Sequence, residues 1–117
     1  MVVRVSKSPL AVQFLDPAGK TISQDARNRA VVFNGNSFLV RKAMPEDEHY
    51  FGLGDKTGPL DHRGLAFSMW NTDVFGWQES TDPLYKSIPF FLAMRNGAAY
   101  GLFLDNTYRT TFDFGVN

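Results

Sequence analysis

The segment that most constrains the fold runs from Pro89 to Asp105: an apolar stretch to Arg95, the dipeptide Asn96-Gly97, then a second apolar stretch from Ala98. Two such runs joined by Asn-Gly form a β-hairpin, because this pair tolerates the positive φ angles that match the twist of the flanking strands. Phe90, Leu92 and Met94 fall on one side of the first strand, and Phe91 and Ala93 on the other. A strand apolar on both faces belongs in the middle of its sheet. Period-two alternation recurs at Val3 and Val5 around Arg4, at Val12 and Phe14 around Gln13, and at Phe38 and Val40 before Arg41 and Lys42. These read as half-buried strands. Asp16-Pro17-Ala18-Gly19 and Asn34-Gly35-Asn36 supply tight connections between them. A last strand, Tyr108 to Phe114, sets Tyr108, Thr110, Phe112 and Phe114 on its core face. Only Ser23 to Arg29 resembles a helical turn, and it is too short and polar to bury a stripe of its own. The expected class is all-β.

A chain of 117 residues is one domain's worth of material, 1–117 being read as a single domain. With 44% hydrophobic and 15% aromatic residues it carries too much apolar surface for a disordered tail. Twelve Lys and Arg balance twelve Asp and Glu, so no uniform basic field draws it to nucleic acid or an anionic membrane, and neither is expected as a partner. The absence of cysteine removes disulfides, thiolate zinc sites and a Cys nucleophile. No run approaches the ~20 apolar residues of a spanning helix, and Met1 to Leu10 lacks the apolar core of a signal peptide, so a cytoplasmic location is expected.

Two segments break the strand rhythm: Gly52 to Gly64, with four glycines and Pro59, and the long aromatic-bearing stretch Asn71 to Ser87. Gly52-Leu53-Gly54 opens like a phosphate-binding loop, but Thr57 stands where a dinucleotide fingerprint needs its third glycine. These glycines read as a tight turn, and no cofactor is expected. His49 and His62, near Asp47, Asp55 and Asp61, match no ligand spacing, so no metal site is assigned. Glu46-Asp47-Glu48 reads as a solvated acidic turn. Asp73 differs in its setting between Trp70 and Phe75. Sugars offer CH faces to aromatic rings and hydroxyls to carboxylates, so that setting suits carbohydrate recognition. Equally, Trp70 and Phe75 can plug a core beneath the loop while Asp73 bonds its own backbone.

The run His49-Tyr50-Phe51-Gly52-Leu53-Gly54-Asp55-Lys56-Thr57-Gly58-Pro59-Leu60, then Met69-Trp70-Asn71-Thr72-Asp73, then Thr81 to Phe90, and finally Tyr100 to Arg109 with Phe112-Asp113-Phe114-Gly115, resembles the N-terminal domain of glycoside hydrolase family 31. The resemblance covers His49 to Gly115 in consistent order. It implies an antiparallel β-sandwich of the galactose-mutarotase-like type, incomplete over this length. It also implies a retaining α-glucosidase-like parent whose catalytic aspartates lie on a (β/α)8 barrel of ~250 residues, which 117 residues cannot contain. The isolated chain is thus expected to be inactive, with no catalytic residue of its own. By matching motif, Asp73 would bind an α-linked oligosaccharide at the active site of the full-length enzyme. Trp70 would support the loop, and Phe75 or Trp77 would line the pocket rim. Strand edges left open by missing strands would favour homo-oligomers. Two other functions compete: a free-standing carbohydrate-binding module stacking sugar on Trp70 and Trp77, and an aldose mutarotase using His49 or His62 with Glu79 as its acid and base.

Overall fold

Among the described residues ten strands follow one another: β1 (Val2–Lys7), β2 (Leu10–Leu15), β3 (Thr21–Gln24), β4 (Val31–Asn34), β5 (Ser37–Val40), β6 (His49–Gly54), β7 (Ala66–Met69), β8 (Ser87–Arg95), β9 (Ala98–Phe103) and β10 (Thr110–Asp113). The computed structural model describes residues 1–116, and no helix occurs among them. Every strand pairing is antiparallel. The all-β expectation therefore holds. Two compact units divide the chain, Met1–Pro45 and Glu46–Asn117.

In the first unit β1, β2 and β3 form a meander, and β4 pairs with β5. The turn at Asp16 closes through the Gly19 amide on the Asp16 carbonyl (3.0 Å) and the Lys20 amide on the Asp16 carboxylate (2.9 Å). The β4–β5 turn has Gly35 at φ 57°. Ser23, expected to begin the one helix-like stretch, lies in β3 instead. The alternation in β1 and β5 does not mark half-burial: every residue of both strands is exposed. Each is an outer strand with one hydrogen-bonded neighbour, and its side chains stay at least partly open to solvent on both faces.

Asp25 organises this unit. Its side chain is only 2% exposed, accepts the Val12 amide at 2.8 Å, and takes the Lys42 ammonium at 2.7 Å. Backbone bonds from Ala43 to Gln24 and from Ala26 to Arg41 flank the pair, so one buried carboxylate ties the meander to the chain that leaves β5. Lys42 also lies 5.3 Å from the centre of the Phe14 ring, within cation–π range.

The second unit is a small sandwich. β8 is the middle strand of β6-β8-β9, as its two apolar faces predict, and β7 pairs with β10. Tyr50, Leu53, Phe67, Met69, Phe91, Ala93 and Phe114 form the core between these sheets. Tyr50 stacks on Phe114 at 4.7 Å between ring centres, and Phe91 meets Phe114 edge-on at 5.2 Å. Asn96 and Gly97 have φ of 51° and 73°, the geometry the Asn-Gly hairpin requires. The opposite face of β8 stays partly open: Phe90 and Met94 are exposed, and Phe90 lays its ring where a side chain at residue 101 would stand, a place only Gly101 leaves free. The last strand is shorter than its alternation implies. β10 spans Thr110–Asp113, Phe112 and Phe114 face the core, and Tyr108 stands in solvent before the strand begins.

The glycines of Gly52-Leu53-Gly54 are not a turn between strands but a bulge inside β6, where the register to β8 shifts. Residues 52, 53 and 54 all take positive φ, at 123°, 70° and 86°. In a regular strand, Tyr50 and Leu53 would point to opposite faces; the extra residue brings both into the core. Leu53 is completely buried, which is worth about 2–3 kcal/mol and offsets the strain of about 1–2 kcal/mol that its left-handed backbone carries.

The acidic run before β6 is also not uniformly solvated. Glu48 is buried, accepts the Tyr50 hydroxyl at 2.9 Å and the Tyr100 hydroxyl at 3.0 Å, and lies 3.9 Å from Arg95. It thereby joins the start of β6 to β8 and β9. Burial, reinforced by the bond to Glu48, pushes the Tyr50 phenol far above its ordinary value. Tyr50 is thus a neutral core residue with a satisfied hydroxyl.

Candidate functional site

The stretch between β7 and β8 is long, ordered and tied at its base. The Trp70 amide donates to the Ser87 hydroxyl (2.9 Å), the Ser87 amide donates to the Asn71 side-chain carbonyl (2.8 Å), and the Thr72 amide donates to the Leu84 carbonyl (3.0 Å). These bonds close the two ends of the loop on each other, and Leu84 is buried beneath it. Higher up, the Tyr85 hydroxyl donates to the Val74 carbonyl, and the Gln78 amide to the Thr81 hydroxyl at 2.8 Å.

The strongest anchor is an ion pair. Lys56, just after β6, has a side chain only 2% exposed; its ammonium donates to the Asp82 carboxylate and to the Ser68 carbonyl, both at 2.8 Å. The second oxygen of Asp82 accepts the Ser68 amide at 2.6 Å. Asp82 therefore pins the loop to β7 through one oxygen and, through the other, to the segment after β6, where it neutralises a buried cation. The ring of Phe67, 5.6 Å from the ammonium, adds a cation–π contact from the core side. Composition offers no cue to this pair, whose members lie 26 residues apart.

Gly54 sets the spacing between β6 and the loop's return. A Cβ at this position would strike the Lys86 carbonyl and reach 3.0 Å from the Ile88 amide nitrogen, and the backbone φ is +86°. The same Lys86 carbonyl accepts the Asp55 amide at 2.8 Å. Gly54→Ala is expected to destabilise the protein by about 2–4 kcal/mol, combining left-handed strain with overpacking against backbone. Urea denaturation measures this, and a loss below about 1 kcal/mol would mean that the strand moves aside freely.

Of the residues the sequence singles out, Asp73 and Phe75 lie on the outer part of the loop, both exposed, with Phe75 wholly in solvent. Trp70 and Trp77 are each about half exposed. Trp70 and Phe75 therefore do not plug a core beneath the loop; that place belongs to Leu84 and the Lys56 stem. The four residues are not gathered into one pocket. Trp77 alone lines a cleft of about 470 Å³, whose walls also include Asp55, Thr57, Glu79 and Tyr85 over a floor of Leu84. Asp55, Glu79 and Tyr85 carry no sequence signal for such a role, since three separate segments bring them together.

The histidines have separate partners. His49 Nδ1 is 2.6 Å from Asp61, which also accepts the amides of Tyr50 and Arg63 at 3.1 Å. Partial desolvation would raise the Asp61 pKa, but these hydrogen bonds, led by His49, outweigh it and hold the carboxyl below its ordinary value. His62 is buried against Phe67, with Nε2 3.1 Å from the Gly52 carbonyl, to which it donates. It serves the β6 bulge, and the geometry gives neither histidine Glu79 as a hydrogen-bond partner.

Residues 1–113 match the family described as the glycosyl hydrolase 31 N-terminal galactose mutarotase-like domain. Alpha-glucosidase 2 of Bacillus thermoamyloliquefaciens is 44% identical over 114 residues, covering 96% of this chain and 14% of that protein. An alpha-glucosidase of Saccharolobus solfataricus is 36% identical over 86 residues, covering 74% of this chain and 12% of the relative. Among solved structures, a Flavobacterium johnsoniae family 31 dextranase complexed with isomaltotriose superposes with a TM-score of 0.85 at 42% identity, over 97% of this chain and 14% of that one. The chain thus spans about one seventh of the length of these proteins. Identity at this level over nearly the whole chain, on a shared all-β scaffold, shows that it belongs to the glycosyl hydrolase 31 N-terminal galactose mutarotase-like domain family.

Proposed function

We propose that this chain is the non-catalytic N-terminal part of a retaining glycosidase acting on α-linked glucosyl substrates, and that it supplies Asp73 to a sugar-binding site completed by further polypeptide. The observation that carries this reading is the construction of the loop. Its base is fixed by three hydrogen bonds and the Lys56–Asp82 pair, yet it holds a carboxylate and a bare phenyl ring out in solvent. A wholly exposed Phe75 gains nothing for the fold of this chain, whereas an aromatic beside an acid gives a pyranose a stacking face and a hydroxyl acceptor. The reading draws its substrate class from the alpha-glucosidases and the dextranase to which the chain is similar.

In the full-length enzyme, Asp73→Ala is expected to lower kcat/KM about 10- to 150-fold. That corresponds to the roughly 1.5–3 kcal/mol of a charge-assisted hydrogen bond to a sugar hydroxyl. Asp73→Asn should recover part of the loss, because an amide oxygen still accepts a hydrogen bond. Steady-state kinetics on maltose and isomaltose provide the measurement, and unchanged constants for Asp73→Ala would remove Asp73 from the site.

A further inference from the structure

We propose that the cleft between the segment after β6 and the returning half of the loop is a second carbohydrate site, separate from Asp73, that binds one or two units of an α-linked gluco-oligosaccharide. Its volume of about 470 Å³ would hold one or two sugar units, and the cleft is open to solvent rather than enclosed. Two aromatic side chains, Trp77 and Tyr85, line it, and both remain about half exposed. Rings held in that way present faces on which the CH surface of a pyranose stacks. Among the described residues, no hydrogen bond or ion pair engages the carboxylates of Asp55 and Glu79, which are also on the wall. Lys56, the cation among the lining residues, is already committed to Asp82 and the Ser68 carbonyl.

The free charged groups lining the cleft are therefore carboxylates, which accept from hydroxyl donors and disfavour a phosphate or other anion, while the unengaged Trp77 indole N–H can donate to a sugar oxygen. The walls are also built in advance. The Thr57 hydroxyl lies within hydrogen-bond reach of the Glu79 and Thr81 carbonyls (2.5 and 3.3 Å), the Gln78 amide bonds Thr81, and the Tyr85 hydroxyl bonds Val74. A sugar entering this cleft meets groups whose backbones are already ordered, so little ordering entropy opposes it. Asp73, Trp70 and Phe75 are not among the residues lining it. The choice of an α-glucan rests on the functional reading above, whereas the existence of the site rests on the cleft alone.

The test is a titration of the isotopically labelled chain with maltotriose and, separately, isomaltotriose, followed by amide and indole NMR signals. The expected result is saturable shifts at Thr57, Gly58, Glu79 and the Trp77 indole, with an affinity of about 1–20 mM. Trp77→Ala and Glu79→Gln, both at exposed positions, should each weaken binding at least about tenfold while keeping a dispersed spectrum; the milder Glu79 variant stands should Trp77→Ala unfold. Absence of cleft shifts up to about 50 mM sugar would overturn the proposal, as would unchanged affinity in folded Trp77→Ala and Glu79→Gln proteins. So would shifts confined to Asp73 and Phe75, which would put the sugar at the loop's outer part. Failure of the Asp73 reading is seen separately, in the kinetics of Asp73→Ala.

Discussion

Asp82→Ala is expected to destabilise the protein by about 3–5 kcal/mol, more than any single truncation on the exposed part of the loop. The substitution removes the carboxylate from a Lys56 side chain that is 2% exposed and leaves its ammonium with the Ser68 carbonyl as its remaining hydrogen-bond acceptor. An uncompensated buried charge costs about 3–5 kcal/mol, because the desolvation already incurred is no longer offset by the attraction to its partner. The Ser68 amide loses its acceptor at the same time. Lys56→Met should cost less, since the aliphatic chain keeps its packing on Phe67 while Asp82, 22% exposed on its side chain, can still be reached by water. The double variant Lys56→Met, Asp82→Asn should recover most of the loss, because the amide oxygen can retain the Ser68 bond and no charge is stranded. A double-mutant cycle of Lys56→Met, Asp82→Asn and their combination, by urea denaturation, reads the coupling; strict additivity of these two changes would show that the ion pair does not hold the loop. Loss of the pair should also free residues 70–86, seen as faster amide exchange there than in β8.

That dependence explains which parts of the molecule can be read in the sequence. The Asn96-Gly97 hairpin and the central position of β8 are legible because both are local: one dipeptide fixes the turn, and two apolar faces demand flanking neighbours. β6 is hidden by its glycines. Its bulge inserts a residue, so the apolar alternation of Tyr50 and Leu53 fails at the point where the strand is best buried. β7 is only four residues long and owes its place to pairing with β10, far along the chain. Tyr108 errs in the other direction: it continues the alternation of Thr110 and Phe112, but the strand starts after it. Charge placement is the least legible. Glu48 and Asp82 sit in polar stretches that suggest solvent; contacts with Tyr50 and Tyr100 make Glu48 an interior group, and the buried Lys56 ammonium, 26 residues away, makes Asp82 an anchor. For the candidate site, motif resemblance picks out Asp73 and its aromatic neighbours, while the cleft beside Trp77 is assembled from side chains at separate places in the chain.

The same physics predicts the opposite order of effects in the first unit. There the anion is the deeper partner: Asp25 is 2% exposed and Lys42 29%. Lys42→Ala should therefore be the more damaging neutralisation, at about 3–4 kcal/mol, because it strands a buried carboxylate with the Val12 amide as its remaining donor. Asp25→Asn should cost only about 1–2 kcal/mol: its amide oxygen can still accept from Val12, while the freed lysine, already partly in solvent, turns outward and regains its hydration. Comparing the two units in one set of denaturation curves tests a single rule, that removing the shallower partner of a buried ion pair costs more than neutralising the deeper one. If Asp25→Asn proved worse than Lys42→Ala while Asp82→Ala remained worse than Lys56→Met, stranded charge would not be the governing term. The Val12 bond and the backbone links around it would then be what hold the first unit together.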